Sequence, residues 1–340
     1  MKVLVTTAMY PTPANPAFGS FVKTQVESLE RAGIDVDVLV LQGRSRKLMY
    51  PLGVPSLHRR LREDRSIDLV HAHYGLVGMV ARAQLKVPLV VTFHGDDILG
   101  TVGDHGRLTL PSRVIAAAGK VLGRLADAVI VQSEEMARAF PGSSTHVIPH
   151  EVDFDVFRPT PRTEARRALG LDPERPYLLF AANPAIPVKR FPLARDVLSR
   201  FKLERPDAEL CVVYKETQAR LAVYMSACDA LLFPSYQEGS PNIVKQAMAC
   251  GLPIVATDVG DVRLVIEGTE GCHVCEPTIE SFVQALRAVL RRNQRTKGRE
   301  AVRRFEPSLV TARLVEVYEQ TLERAGRREV GSSSLVSEGR

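Results

Sequence analysis

The sequence predicts an α/β protein built from two facing, Rossmann-like, doubly wound parallel-sheet domains. A chain of 340 residues exceeds what one ordinary hydrophobic core organises and suits two units of roughly 150 residues each. Short apolar runs alternate with longer helix-like stretches, the pattern of parallel strands joined by crossover helices. A stretch rich in Pro, Asp and Arg at 149–176 interrupts that alternation, after which it resumes.

In the first series, residues 3–7, 36–41, 69–72, 89–93 and 128–132 read as buried strands. Strands apolar throughout need cover on both faces. Helical stretches fall at 21–32, 56–65, 78–85 and 112–124, the first closed by Gly33 as a C-terminal cap. The second series places strands at 177–181, 209–213, 230–234 and 253–257, with helices at 191–200, 220–227 and 243–249. Helical sequence continues through 279–291 and 308–324, and the small, polar and charged residues 325–340 read as a disordered tail. The domains are therefore expected at 1–155 and 156–307. Ligands of such sheets bind at the carboxyl ends of the strands, so the cleft between the domains is the expected site.

Composition narrows the function. An apolar fraction of 45% with 25% charged residues is that of a globular chain able to bury a real core. The net charge of +6 is spread along the sequence, which does not call for nucleic acid but suits phosphate-bearing small molecules and anionic membrane surfaces. The start lacks the pattern of a signal peptide and no run of about 18 apolar residues occurs, so a cytoplasmic protein is expected. Five cysteines in apolar settings suit reduced thiols. Cys272 and Cys275 flank His273 and Val274 like half of a zinc site, but no second pair accompanies them, and a structural reading is the plainer one.

The densest chemical signal is 231–251, LLFPSYQEGSPNIVKQAMACG. A buried strand ends, a carboxylate and a Gly-Ser-Pro turn follow, and a helix begins near Ile243. Backbone N–H groups at such a helix start favour an anion or several hydroxyl acceptors. Read without context, Ser240 to Asn242 could equally cap the helix and Glu238 could be a solvated loop acid.

This segment resembles the retaining glycosyltransferases of family 4, group 1, which have the GT-B fold. The marks are Glu238-Gly-Ser-Pro-Asn, Ala247-Met-Ala-Cys-Gly and Val255-Ala-Thr-Asp-Val-Gly, with Thr92-Phe-His94-Gly-Asp and Val147-Ile-Pro-His150-Glu-Val-Asp153. The opening Tyr10-Pro11 and Asn15-Pro16-Ala-Phe-Gly19 are most similar to the branch assigned to cell-envelope polysaccharide assembly, the teichuronic acid enzymes among them. The resemblance implies that the helix 308–324 packs back on the first domain. It implies that Glu238 accepts hydrogen bonds from donor-sugar hydroxyls and that the turn Gly239, Ser240, Pro241, Asn242 and Ile243 holds the sugar and phosphate edge. Lys189, with Arg190 beside it, would neutralise the diphosphate. His94 would face the donor sugar across the cleft, and Gly19 would let the first helix approach the diphosphate. Two positions depart from the family pattern: Asn183 stands where an Arg is usual, and Gln246 where the second acid of E-x7-E holds the ribose. Gln lacks the charge-assisted strength of a carboxylate.

The activity so implied transfers a sugar from a nucleotide-diphosphate sugar, a UDP-sugar being the expectation, to a glycan or lipid-linked acceptor, with retention and without metal or other cofactor. Rival readings are a metal-dependent transferase using Asp35-Val36-Asp37 and a catalytically weak GT-B protein that binds a nucleotide sugar or a partner enzyme, motivated by Asn183 and Gln246. His71, His73, Phe18 and Tyr74 read as strand-end and cleft-wall residues. The basic stretch with Arg59, Arg60, Arg62 and Arg65 reads either as a solvated helix face or as a peripheral membrane contact.

Overall fold

The computed structural model of the chain describes residues 1–41, 47–103 and 106–337. Its first half runs β1 (Lys2–Thr7), α1 (Ser20–Arg31), β2 (Asp35–Val40), α2 (Gly53–Glu63), β3 (Leu69–His73), α3 (Gly75–Ala81) and β4 (Leu89–Thr92). It continues with α4 (Asp96–Leu99), α5 (Leu110–Leu125), β5 (Ala128–Val131), α6 (Glu134–Ala137) and β6 (Thr145–Val147). The second half comprises α7 (Arg162–Leu169), β7 (Tyr177–Phe180), α8 (Phe191–Phe201), β8 (Glu209–Val212), α9 (Gln218–Ala227) and β9 (Ala230–Phe233). It is completed by α10 (Asn242–Ala249), β10 (Ile254–Thr257), α11 (Val262–Ile266), β11 (Cys272–Cys275), α12 (Ile279–Arg292), α13 (Gly298–Ala301) and α14 (Pro307–Ser337).

All strand pairs are parallel, in a six-stranded sheet of order β2-β1-β3-β4-β5-β6 and a five-stranded sheet of order β11-β10-β9-β7-β8. Helices cover both faces, which is why β3, β4, β5, β7, β9 and β10 are buried along their whole length. The carboxyl ends of β3 and β4 carry His73 and His94, and that of β9 carries the Glu238 turn.

Several elements differ from the sequence expectation. The stretch 149–176 is not all linker, because α7 lies within it. Arg166 anchors that helix from a buried position, donating to the Ala227 carbonyl at 3.0 Å and to Asp229 at 2.9 Å. An apolar periodicity is not what holds it. The short strands β6 and β11 were not anticipated, and α3 begins at Gly75 and ends at Ala81. Its end is set by Gln84, whose side chain accepts from the Lys86 and Val87 amides and donates to the Val87 carbonyl. Helix α14 runs on through Ser337, into the stretch expected as a tail. Residues 338–340 of that tail lie outside the described residues.

Cys272 and Cys275 sit on β11, the Cys272 thiol 3.7 Å from the Met248 sulfur and the Cys275 thiol 3.8 Å from the Ser281 carbonyl. Asp35 and Asp37, on edge strand β2, pair with Lys2 at 3.1 Å and Arg60 at 3.3 Å. Among the described residues no helix is long and apolar enough to cross a membrane.

Helix α14 crosses to the first sheet, where Val310, Leu314, Val317 and Tyr318 pack with Val3, Val22, Val26 and Leu69. The buried Tyr318 hydroxyl meets His71 Nδ1 at 2.6 Å, and His71 Nε2 meets the Thr92 hydroxyl at 2.7 Å. Tyr318→Phe leaves a buried ring nitrogen without its partner, and a loss of about 1–3 kcal/mol in urea unfolding is expected; an unchanged midpoint would show that the contact contributes nothing.

Candidate active site

The site forms where the loop after β9 meets the loop after β4. Gly239 is buried against the first half: a Cβ there would lie 2.8 Å from Met136 Sδ, 3.3 Å from the His94 carbonyl oxygen and 3.4 Å from Gly95 Cα. Gly95 itself has φ 125°, a conformation side chains disfavour. The two glycines let the backbones touch where any larger residue would hold them apart.

Around Gly239, the remaining turn is fixed from inside. Ser240 donates to Asp261 at 2.5 Å, and the Asn242 side-chain Oδ1 accepts from Lys245 at 3.4 Å. Lys245 is fully buried over the Phe305 ring, and burial pushes its ammonium down to about 8. Burial likewise raises the Asp261 carboxyl, an effect that Lys245 opposes. Helix α10 begins in this turn with no side-chain cap, leaving N–H groups of its first turn open. Pro241 is its cap, Ile243 packs on the C-terminal core, and Gln246 lies half-buried one turn further on.

Glu238 and Lys189 meet across this turn in an ion pair of 2.7 Å. Their side chains are 15% and 26% exposed, so the pair is shielded but reachable. The other expected donor residues are employed differently. Asn183 accepts from the Ala185 amide at 3.0 Å and so shapes the turn leading to Lys189. Arg190, with φ 57°, lies over the Tyr236 ring at 4.4 Å and donates to the Pro277 carbonyl at 3.1 Å. Gly19, with φ 70°, opens α1; a Cβ there would strike the Met9 carbonyl and lie 2.7 Å from the Tyr10 nitrogen. The chain's own backbone already requires glycine at that position.

His94 stands opposite, and its setting was only partly legible in sequence. Its Nε2 is 3.3 Å from His73 Nδ1 and its Nδ1 is 3.0 Å from His150 Nε2. Both ring nitrogens are thus engaged by neighbouring histidines, while Phe21 at the start of α1 packs on His94 and His150. What His94 offers Gly239 is its carbonyl. Asp97 holds the loop by accepting from the His94, Gly95 and Gly75 amides, each at 3.0 Å. Burial nevertheless pushes its carboxyl up to about 7. Tyr74, with φ 90°, bonds Asp96 through its hydroxyl and stacks on His94 at 5.8 Å. Tyr74, Asp96, Thr101, Ser112 and Ile115 line a cavity of about 220 Å³ beside it. Sequence reasoning took His73 and Tyr74 for strand-end and wall residues; the usable signal was that His73, His94 and His150 all lie at or just after the carboxyl ends of strands of one sheet.

Two facing parallel-sheet domains with a shielded Lys–Glu pair at the cleft, on an anion-favouring helix start, define the class as a glycosyltransferase of the GT-B fold. A glycosyl transferase 4-like domain model matches residues 3–151 and a glycosyl transferases group 1 model matches residues 192–292, and the chain belongs to that family, group 1 of the family 4 glycosyltransferases. It is 25% identical over 331 residues to the putative teichuronic acid biosynthesis glycosyltransferase TuaC of Bacillus subtilis, covering 77% of this chain and 82% of that protein. To the D-inositol 3-phosphate glycosyltransferase of Mycobacterium marinum it is 32% identical over 276 residues, 69% of this chain and 58% of that one. Sucrose-phosphate synthase from Thermosynechococcus elongatus superposes with a TM-score of 0.80 at 19% identity, over 95% of this chain and 100% of that one. Anabaena HepE in complex with UDP-glucose gives 0.69 at 17% identity, over 94% and 99%. These two structures speak for the fold.

The buried ionisable groups give the first half a pH signature. Burial holds His73 down to about 3 and His71 and His150 well below their usual range. Each therefore binds a proton on unfolding, and stability is lost as pH falls below about 6.5. Asp97 and Glu151, both raised to about 7 by burial, act oppositely, because they are already protonated when folded. Three lowered histidines against two raised acids leave a net loss of stability as pH falls between about 6.5 and 4.5. His73→Asn should remove one proton and flatten that slope in urea titrations at successive pH values; a slope identical to the parent's would place the proton elsewhere.

Proposed function

We propose that this glycosyltransferase uses a UDP-sugar as donor, retains the anomeric configuration, and delivers the sugar to a glycan or lipid-linked acceptor of the cell envelope on the cytoplasmic side, without an obligatory metal. The observation that carries the donor half is the Lys189–Glu238 ion pair at the glycine-lined contact between the domains. A nucleotide sugar brings both partners that this pair lacks in isolation: an anionic diphosphate for Lys189 and hydroxyl donors for Glu238. HepE, of the same fold, is a protein described in complex with UDP-glucose. The acceptor class follows the similarity to TuaC.

In this reading the turn Gly239–Ile243 lies along the sugar and phosphate edge, and Gln246 hydrogen-bonds the ribose. Charge grows on the diphosphate as the glycosidic bond breaks, so Lys189 and the first turn of α10 stabilise the transition state more than the ground state. Among the described residues at the cleft contact, Glu238 is paired and both nitrogens of His94 are engaged. Retention then proceeds on one face of the sugar, with a donor phosphate oxygen taking the acceptor proton. His73 and His150 keep His94 oriented; the protein contributes position and electrostatics.

Turnover over a panel of nucleotide sugars tests this. UDP-linked donors should be used, Glu238→Gln should lower kcat roughly 10- to 100-fold through loss of a charge-assisted contact, and chelator should leave the parent's rate intact. Unchanged turnover in Glu238→Gln would reject the assignment of that residue. A rate abolished by chelator and restored by a divalent cation would reject the metal-free mechanism.

A further inference from the structure

Helix α5 inverts the usual pattern of a surface helix. Its inward face is made of small residues, Ser112, Ala116, Gly119 and Gly123, with Leu122, and a Cβ at Gly119 would lie 2.5 Å from the Asp97 carbonyl. The helix is thus seated tightly without its larger side chains. Those face out: Leu110 is 72% exposed, Val114 66%, Val121 52% and Leu125 57%. Spacings of four, seven and four residues put them in one stripe. A contiguous apolar face of this kind marks a contact surface.

Charge selects the partner. Arg107, Arg113, Lys120 and Arg124 are all exposed along the same segment, and 106–126 contains no Asp or Glu. An apolar stripe edged by cations alone is the signature of a helix that lies in the interface of an anionic bilayer. Helix α2, whose arginines suggested a membrane contact in the sequence, lacks that stripe, because its Leu57 and Leu61 are buried inward and Arg60 pairs with Asp37.

We propose that the outer face of α5 docks this protein on an anionic phospholipid surface, with Leu110, Val114, Val121 and Leu125 entering the headgroup boundary and the flanking cations meeting lipid phosphates. The opposite side of the same helix supplies Ser112 and Ile115 to the cavity beside His94. Docking therefore brings that cavity close to the headgroups, where the head of a lipid-linked acceptor would enter. This consequence rests on the proposed transfer reaction, whereas docking itself does not.

Co-sedimentation of the full chain with vesicles separates the two. The parent should bind phosphatidylcholine vesicles containing phosphatidylglycerol, and bind phosphatidylcholine alone much more weakly. Val114→Asn/Val121→Asn and Arg113→Gln/Arg124→Gln should each weaken binding roughly tenfold or more, with parental melting temperature and unchanged turnover on a water-soluble acceptor. Arg59→Gln/Arg62→Gln should bind like the parent. Absence of vesicle binding, binding indifferent to the α5 variants, or binding lost only in the α2 variant would overturn the proposal. So would a parental dimer that the Val114→Asn/Val121→Asn change converts to monomer, since a second copy would then cover the face. Failure of the transfer reaction would leave the vesicle result standing.

Discussion

The seating of Gly239 on the His94–Gly95 backbone determines where the two halves of this protein meet. Because no side chain intervenes there, the loop after β9 and the loop after β4 come within van der Waals contact, and everything charged at the site is arranged around that contact. Lys189 and Glu238 are paired on one side of it and the His73–His94–His150 cluster stands on the other. A ligand that separates the ion pair must replace both of its halves, an anion for the lysine and donors for the carboxylate. A neutral sugar or a bare phosphate replaces only one.

The histidine cluster shows a different economy. Three imidazoles buried in neutral form, His71, His73 and His150, are costly in acid, yet His73 and His150 each engage a ring nitrogen of His94 and His71 bonds Tyr318 and Thr92. Asp97 performs the corresponding task for the backbone, organising three amides with one carboxylate. Rigidity at the His94 loop is thus bought with ionisable groups kept uncharged or nearly so. Far from the cleft, Tyr318 on α14 closes the same row through His71, so the end of the chain braces the sheet that carries the site.

The sheets were legible because their strands are apolar runs too short for helices, and Glu238 was legible because a carboxylate and a Gly-Ser-Pro turn follow one such run. What sequence could not show was side-chain direction. The Ser240 hydroxyl bonds Asp261 and the Asn242 side-chain amide oxygen accepts from Lys245, contacts that fix the turn from inside. Arg190 lies over the Tyr236 ring, a placement that no local pattern marks. Lys245 passed unnoticed, since nothing in a helical pattern marks a lysine as buried. Helix α7 was missed because a buried arginine, not an apolar stripe, anchors it, and the outer stripe of α5 reads in sequence as core.

The central claim is a division of labour, with Lys189 reading the diphosphate and Glu238 reading the sugar. Calorimetric affinities of Lys189→Ala and Glu238→Gln for UDP and for the UDP-sugar that the parent uses test it directly. The account predicts that Lys189→Ala weakens both ligands, whereas Glu238→Gln weakens the UDP-sugar and leaves UDP bound at least as tightly as in the parent, because the freed lysine no longer shares its charge with a carboxylate. An equal loss for both ligands in Glu238→Gln, or no loss for either, would contradict it.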